Sequence, residues 1–367
     1  MTEDSQPETA LVVAIPVKNE AERIGECLMA LARQRGGNAC RVVLLLNNCT
    51  DGTAAVVRAM APGLPMAVEM EERRFGAGED NAGHARCVAM EHAAGLLGDG
   101  GMLLTTDADG RVAPDWIAAT LAAMRDGAEV VAGRAEIDPV EARLIPAHLH
   151  EDDARECAYG DLLDEIDALL DPDPADPWPR HSEHSGASLA VTVEAFRRAG
   201  GVPDVMLGED RAFVAALRSV DARIRHDRDV RVTVSGRIEG RALGGMADTI
   251  RRRIVRQDAL VDDRLEGAWD CARRAGLRAW FRTAWTLAQG GAELAFRLGL
   301  PRAVVEAAVA MPYFGAGWAV LEAQSAMLAR RTVARAELAR ETARARRIRD
   351  GLRRDGVTRW GKAVVPA

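Results

Sequence analysis

Lysine is nearly missing from this chain. Only Lys18 and Lys362 occur in 367 residues, so almost every basic side chain is an arginine, a compositional bias rather than a functional signal. Positive charge is not in excess either: the net charge of −7 gives no reason to expect nucleic-acid binding. The cysteines at 27, 40, 49, 87, 157 and 271 form no C-x-x-C and no paired spacing. They read as reduced thiols in a cytoplasmic protein. Long apolar runs are also wanting. The most apolar stretch near the carboxyl end, residues 303–321, is broken by Glu306 and Pro312 and makes a poor membrane span. Residues 1–9 are polar and acidic, unlike a signal peptide. These absences leave a soluble globular chain, long enough for one large domain plus a second unit.

What is present is organised around residues 102–110, Met-Leu-Leu-Thr-Thr-Asp-Ala-Asp-Gly. The apolar run reads as a buried strand and the polar burst as its exit. That puts Asp107 and Asp109 on a turn at the carboxyl edge of a sheet, where open α/β sheets bind ligands. Two carboxylates one residue apart suit Mg²⁺ or Mn²⁺, whose remaining positions go to water and substrate phosphate. Read alone, the same residues are a solvated turn.

Strand-like runs at 11–16, 41–46, 66–70, 102–106 and 129–132 alternate with helical spacing at 21–33, 54–60, 81–97 and 114–125. This alternation predicts an α/β fold with a doubly wound, mostly parallel sheet. Further on come an acidic helix at 151–170, read as a solvated lid, and an extended proline-rich linker at 171–179. A strand follows at 187–193, a helix runs from Gly208-Glu209-Asp210 to about 220, and two short strands lie near 222–225 and 230–235. From about 246 the chain reads as helices only, ending in one long helix over 321–352 with weak heptad spacing. The expected domains are 1–245 and an all-helical extension at 246–367.

Taken together, several stretches resemble the inverting glycosyltransferases of family 2, with the GT-A fold. They are Ile15-Pro16-Val17-Lys18-Asn19-Glu20, Asn47 to Thr53, Gly83-His84-Ala85-Arg86, Asp107-Ala108-Asp109, Gly186-Ala187-Ser188 with Gly200-Gly201, and Gly208-Glu209-Asp210. They run in unbroken order over about residues 11–240. Two departures stand out. Leu46-Asn47 occupies the position of an acidic pair, which leaves the preferred nucleotide open. The stretch after the last strand, Val232 to Arg237, lacks the histidine that often ligates the metal. His226 is the nearby candidate, and Arg237 or Arg241 could hold the diphosphate as fixed charge.

The resemblance implies a hexosyltransferase using a nucleotide-sugar donor and Mg²⁺ or Mn²⁺. Pro16, Val17, Asn19, Glu20, Asn47, Asn48, Asp51, Arg86, Asp107 and Ala108 would form the donor site, with Asp109, Asp107 and His226 toward the metal. Asp210 is the candidate general base and Glu209 its orienter, although Glu-Asp at a helix start by itself only complements the helix dipole. His181, His184, Gly186 and Ala187 are placed at the acceptor side. Other readings stay open: a retaining GT-A enzyme acting on a small phosphorylated acid, a GT-A-like nucleotidyltransferase, or a non-catalytic docking module. The acceptor, a homodimer through the tail and a peripheral membrane contact are left open as well.

Overall fold

The structure is a computed structural model that describes residues 10–35, 40–238, 240, 245–256, 258–289 and 291–356. Arg241 and Lys362 lie outside them. The described residues fall into two compact units. The first takes those within 10–145, 182–217 and 222–251, and the second those within 146–181, 218–221 and 252–356. Residues 146–181 thus pack with the second unit, and the other main division falls at 251/252.

In the first unit an eight-stranded sheet runs in the order β3-β2-β1-β4-β7-β6-β8-β5. The strands are β1 (Leu11–Val17), β2 (Cys40–Asn47), β3 (Ala67–Arg73), β4 (Met102–Thr105), β5 (Arg111–Val112), β6 (Val130–Ile137), β7 (Leu189–Thr192) and β8 (Ile224–Val234). β3, β2, β1 and β4 are parallel, and the continuous apolar runs of β2, β1 and β4 suit a sheet covered on both faces. The period-two alternation sorts those faces. Val13, Ile15, Val42 and Leu44 pack with Ile24, Leu28, Val57 and Trp116. Val12, Ala14, Val43 and Leu45 pack with Ala85, Ala89, Phe196 and Phe213 on the other side. The expected doubly wound α/β architecture is what the chain adopts.

One local expectation is corrected, and two features carried no signal in the sequence. β7 lies antiparallel between β4 and β6, so the parallel run is interrupted at the middle of the sheet. The two short strands expected near 222–235 are one strand, β8. The polar stretch between them is a bulge: Gly133 faces Asp227 while the next residue, Arg134, faces Arg231. Asp227 Oδ1 accepts the Asp229 N–H at 2.9 Å inside it. Finally, β5 is too short to be legible as a strand.

The second unit is helical. Helix Ala147–Leu170 packs with Ala268–Thr286 and Leu338–Asp355 around Tyr159, Leu163, Ile166, Ala272, Ala345 and Ile348. The acidic helix is therefore a core element rather than a solvated lid, and Tyr159 inside it donates its hydroxyl to the Glu266 carbonyl at 2.6 Å. Phe281, Leu294, Trp318 and Leu321 centre a second cluster. The single long helix expected over 321–352 is two, Phe314–Gln324 and Leu338–Asp355. Between them Thr332 and Ala334 form bridges to Glu266 and Leu260, so backbone pairing displaces the helix there. No helix among the described residues is long and apolar enough to cross a membrane.

Candidate active site

β4 ends at Thr105, and the turn after it is closed by the Gly110 N–H donating to the Asp107 carbonyl at 3.0 Å. Ala108 tucks into the core at 4% exposure, which leaves Asp107 and Asp109 on the same short turn facing out of the sheet. Each carboxylate meets its own arginine. Arg86 Nη2 lies 2.7 Å from Asp107 Oδ1, and Arg237 Nη2 lies 3.1 Å from Asp109 Oδ2. Burial pushes the Asp109 carboxyl up to about 6, helped by the charges of Asp107 and Glu20 and opposed by Arg237.

Arg86 is buried on helix Ala82–Gly95, whose first turn is capped by the Asn81 side chain accepting the His84 N–H at 2.9 Å. Its guanidinium has four partners. Besides Asp107, it donates to Thr105 Oγ1 at 2.7 Å, to the Gly186 carbonyl at 2.9 Å and to Glu209 Oε1 at 3.1 Å. A β-carbon on Gly186 would lie 2.5 Å from Arg86 Cζ, so only glycine fits there. Glu209 and Asp210 open helix Glu209–Ser219. Asp210 Oδ2 accepts from the Gly186 N–H at 3.3 Å and Oδ1 from the Arg211 N–H at 2.7 Å. The carboxyl of Asp210 is nonetheless raised above the usual aspartate range, because burial and the neighbouring Glu209 charge outweigh the two N–H donors and Arg86.

Arg237 grips Glu20 with both arms, at 2.9 and 2.5 Å. The turn that presents it is fixed from behind, since Glu141 Oε2 accepts from Ser235 Oγ at 2.9 Å and from the Gly236 N–H at 2.6 Å, while Glu141 Oε1 pairs with Arg23 at 2.7 Å. Glu20 is anchored through its backbone N–H to Thr53 Oγ1 at 2.9 Å.

The remaining donor-side residues mostly build the loops. Asn19, at φ 55°, accepts from the Thr50 and Asp51 N–H groups at 2.8 and 3.3 Å. Asn48 pins the next loop through two bonds to the Phe75 backbone, at 3.0 and 2.7 Å. Asp51 accepts from the N–H groups of Ala21 at 3.1 Å and Thr53 at 3.0 Å. Pro16 and Val17 end β1, and the Val17 carbonyl takes the Cys49 thiol at 3.5 Å. Asn47 is buried, its amide nitrogen donates to the Asn81 carbonyl at 3.2 Å, and its Oδ1 has no partner among the described residues.

On the acceptor side, Gly186 and the buried Ala187 lead into β7 beside Asp210. His184 Nε2 lies 3.1 Å from Nε2 of the buried His226, so those two face one another. His181 is buried and counts with the second unit. The sequence reading passed over Thr105 as a partner of Arg86, Thr53 as the anchor of Glu20, and Glu141 with Ser235 behind Arg237. No local signal marks them, since each acts on a residue distant in the chain.

Residues 12–170 match the model of Glycosyl transferase family 2. No curated protein sequence matches the chain. Solved structures that resemble it include S. aureus TarS, at 15% identity and TM-score 0.43, covering 81% of this chain. The chain spans 47% of that one, about half its length. Mannosyltransferase PcManGT from Pyrobaculum calidifontis, in complex with GDP-Man and Mn²⁺, is 19% identical with TM-score 0.44, covering 94% of this chain and 87% of its own. Glucosyl-3-phosphoglycerate synthase from Mycobacterium tuberculosis is 14% identical with TM-score 0.36, covering 69% and 82%. At these scores the structures carry no argument about substrates. Over residues 12–170, then, this chain is similar to glycosyl transferase family 2.

Proposed function

We propose that the chain is a metal-dependent, inverting glycosyltransferase that moves a hexosyl group from a nucleotide-diphosphate donor to an acceptor hydroxyl. The observation that carries this reading is the joining of Asp107 and Glu209 by one buried guanidinium, which sets the carboxylate turn of β4 beside the Glu209-Asp210 helix start. A donor held on the turn then meets a base on the helix.

Asp109 and Asp107 fit a hard divalent cation. Two carboxylates suffice for Mg²⁺ or Mn²⁺ when substrate phosphate completes the sphere. Burial, then the charges of Asp107 and Glu20, raise the proton affinity of Asp109, and a cation bound there would lower it. His226, turned toward His184, is left out of this set. Held by these two carboxylates, a cation would supply Lewis-acid stabilisation of the leaving diphosphate. Arg237 adds fixed positive charge at the same place, and Asn47 Oδ1 offers an acceptor to a nucleotide base.

Asp210 takes the proton of the acceptor hydroxyl. The hydroxyl oxygen bonds the anomeric carbon, and the carbon–oxygen bond to the diphosphate breaks with its electron pair leaving on phosphate. The proton ends on an Asp210 oxygen. Attack from the face opposite the leaving group inverts the configuration. The test is product stereochemistry with α-linked donors such as UDP-GlcNAc and GDP-mannose, read by NMR of the anomeric proton. A β-linked product supports the proposal, and a retained α-linkage overturns it.

A further inference from the structure

Arg86 does more than fill a buried space. It touches Asp107 with Nη2, Glu209 with Nε, and both Thr105 and the Gly186 carbonyl with Nη1. The peptide that receives Arg86 at its carbonyl belongs to the residue whose N–H holds Asp210 Oδ2. Two routes thus run from one guanidinium to the base, electrostatic through Glu209 and geometric through Gly186.

We propose that Arg86 is the positioning residue that keeps Asp210 ionised, by neutralising Glu209 and by fixing the Gly186 peptide that binds the Asp210 carboxylate. This rests on the reading of Asp210 as general base. The groups that face Asp210 are the Glu209 carboxylate, the Arg86 guanidinium and the N–H groups of Gly186 and Arg211. Burial and Glu209 raise its proton affinity, while the two N–H groups and Arg86 lower it. Only Arg86 among them acts on both Glu209 and the peptide. The same fork holds Asp107, so donor-side and acceptor-side carboxylates share one rigid cation.

The experiment titrates Asp210 directly in the full-length protein. Aspartate carboxyl carbons are labelled with ¹³C, and the Asp210 resonance is identified by its loss in Asp210→Asn. Arg86→Gln, shown to be folded by circular dichroism, is expected to raise the Asp210 midpoint by about one pH unit. Glu209→Gln leaves Arg86 in place and is expected to lower it. The double variant Arg86→Gln/Glu209→Gln is expected to fall back from the Arg86→Gln value, a reversal that loss of packing alone does not produce. Midpoints that stay at the wild-type value in both folded single variants overturn the proposal. The titration needs neither donor nor acceptor, so its failure is distinct from that of the base assignment, which normal turnover by Asp210→Asn would overturn.

Discussion

Asp210 accepts two backbone N–H groups and still binds its proton more tightly than an ordinary aspartate, since burial and Glu209 prevail over them. With Asp210 as the proposed base, turnover should fall as pH drops through its pKa, because a base must be ionised to act. That fall begins above the usual aspartate range. Asp210→Asn keeps the shape and removes the proton acceptor. We expect turnover to fall by roughly 10²-fold or more with donor affinity nearly unchanged, a split that steady-state kinetics and calorimetry separate. Asp109→Asn acts on the donor side. It leaves Arg237 beside a neutral amide and removes a carboxylate proposed to hold the metal, so donor affinity in Mn²⁺ should weaken at least about tenfold, or about 1.4 kcal/mol. Calorimetry giving equal affinities would contradict the metal assignment.

Among the elements, the segment before β7 is tightly constrained. Gly186 sits against the Arg86 guanidinium, which four partners hold in place and which therefore has nowhere to move. Gly186→Ala should destabilise the protein by about 1–3 kcal/mol, the usual scale of overpacking. It should also reduce turnover, because displacing Arg86 releases both Asp107 and Glu209. Denaturant melts and rates measured together check this, and a variant with wild-type values for both would refute it. In the second unit, helix Ala147–Leu170 is tied to Ala268–Thr286 by Asp167, which meets Arg278 Nη2 at 3.0 Å, with Arg180 at 3.2 Å. Burial works against the Asp167 charge, but Arg278 and Arg180 outweigh it and hold the carboxyl below the usual aspartate range. A depressed carboxylate contributes stability above the unfolded pKa and loses it as pH falls through the folded one. Asp167→Asn should cost about 2–3 kcal/mol at neutral pH, below the ~3–5 for a fully buried pair because the side chain is 18% exposed. The deficit should shrink on strong acidification, as urea melts across pH would show.

For the whole molecule, a ligand that binds only the folded state stabilises it by mass action. At a hundred times its dissociation constant the gain is about 2.7 kcal/mol. UDP or GDP with Mn²⁺ should therefore raise the melting temperature. EDTA should remove most of the gain, and Asp109→Asn should abolish it. A thermal shift indifferent to EDTA with every nucleotide tried would count against the metal site.

Much of this protein was legible in the chain itself. The apolar runs of β1, β2 and β4 declare buried parallel strands, because only a sheet covered on both faces tolerates them. The polar bursts at Asn47 and Asp107 mark strand exits, and the motifs came in family order from Ile15 to Asp210. These are local properties, set by side chains a few residues apart. Elements whose signal is short or shared were not legible: the two-residue β5, the bulge in β8, and the break between Phe314–Gln324 and Leu338–Asp355. The electrostatics of the site were beyond the sequence altogether. Arg86 meets Glu209 across 123 positions, and Arg237 meets Glu20 across 217. Residue type and spacing say which groups can carry charge. Which arginine neutralises which carboxylate, and hence how tightly Asp109 and Asp210 hold a proton, follows from distance and burial, and only the folded chain determines those.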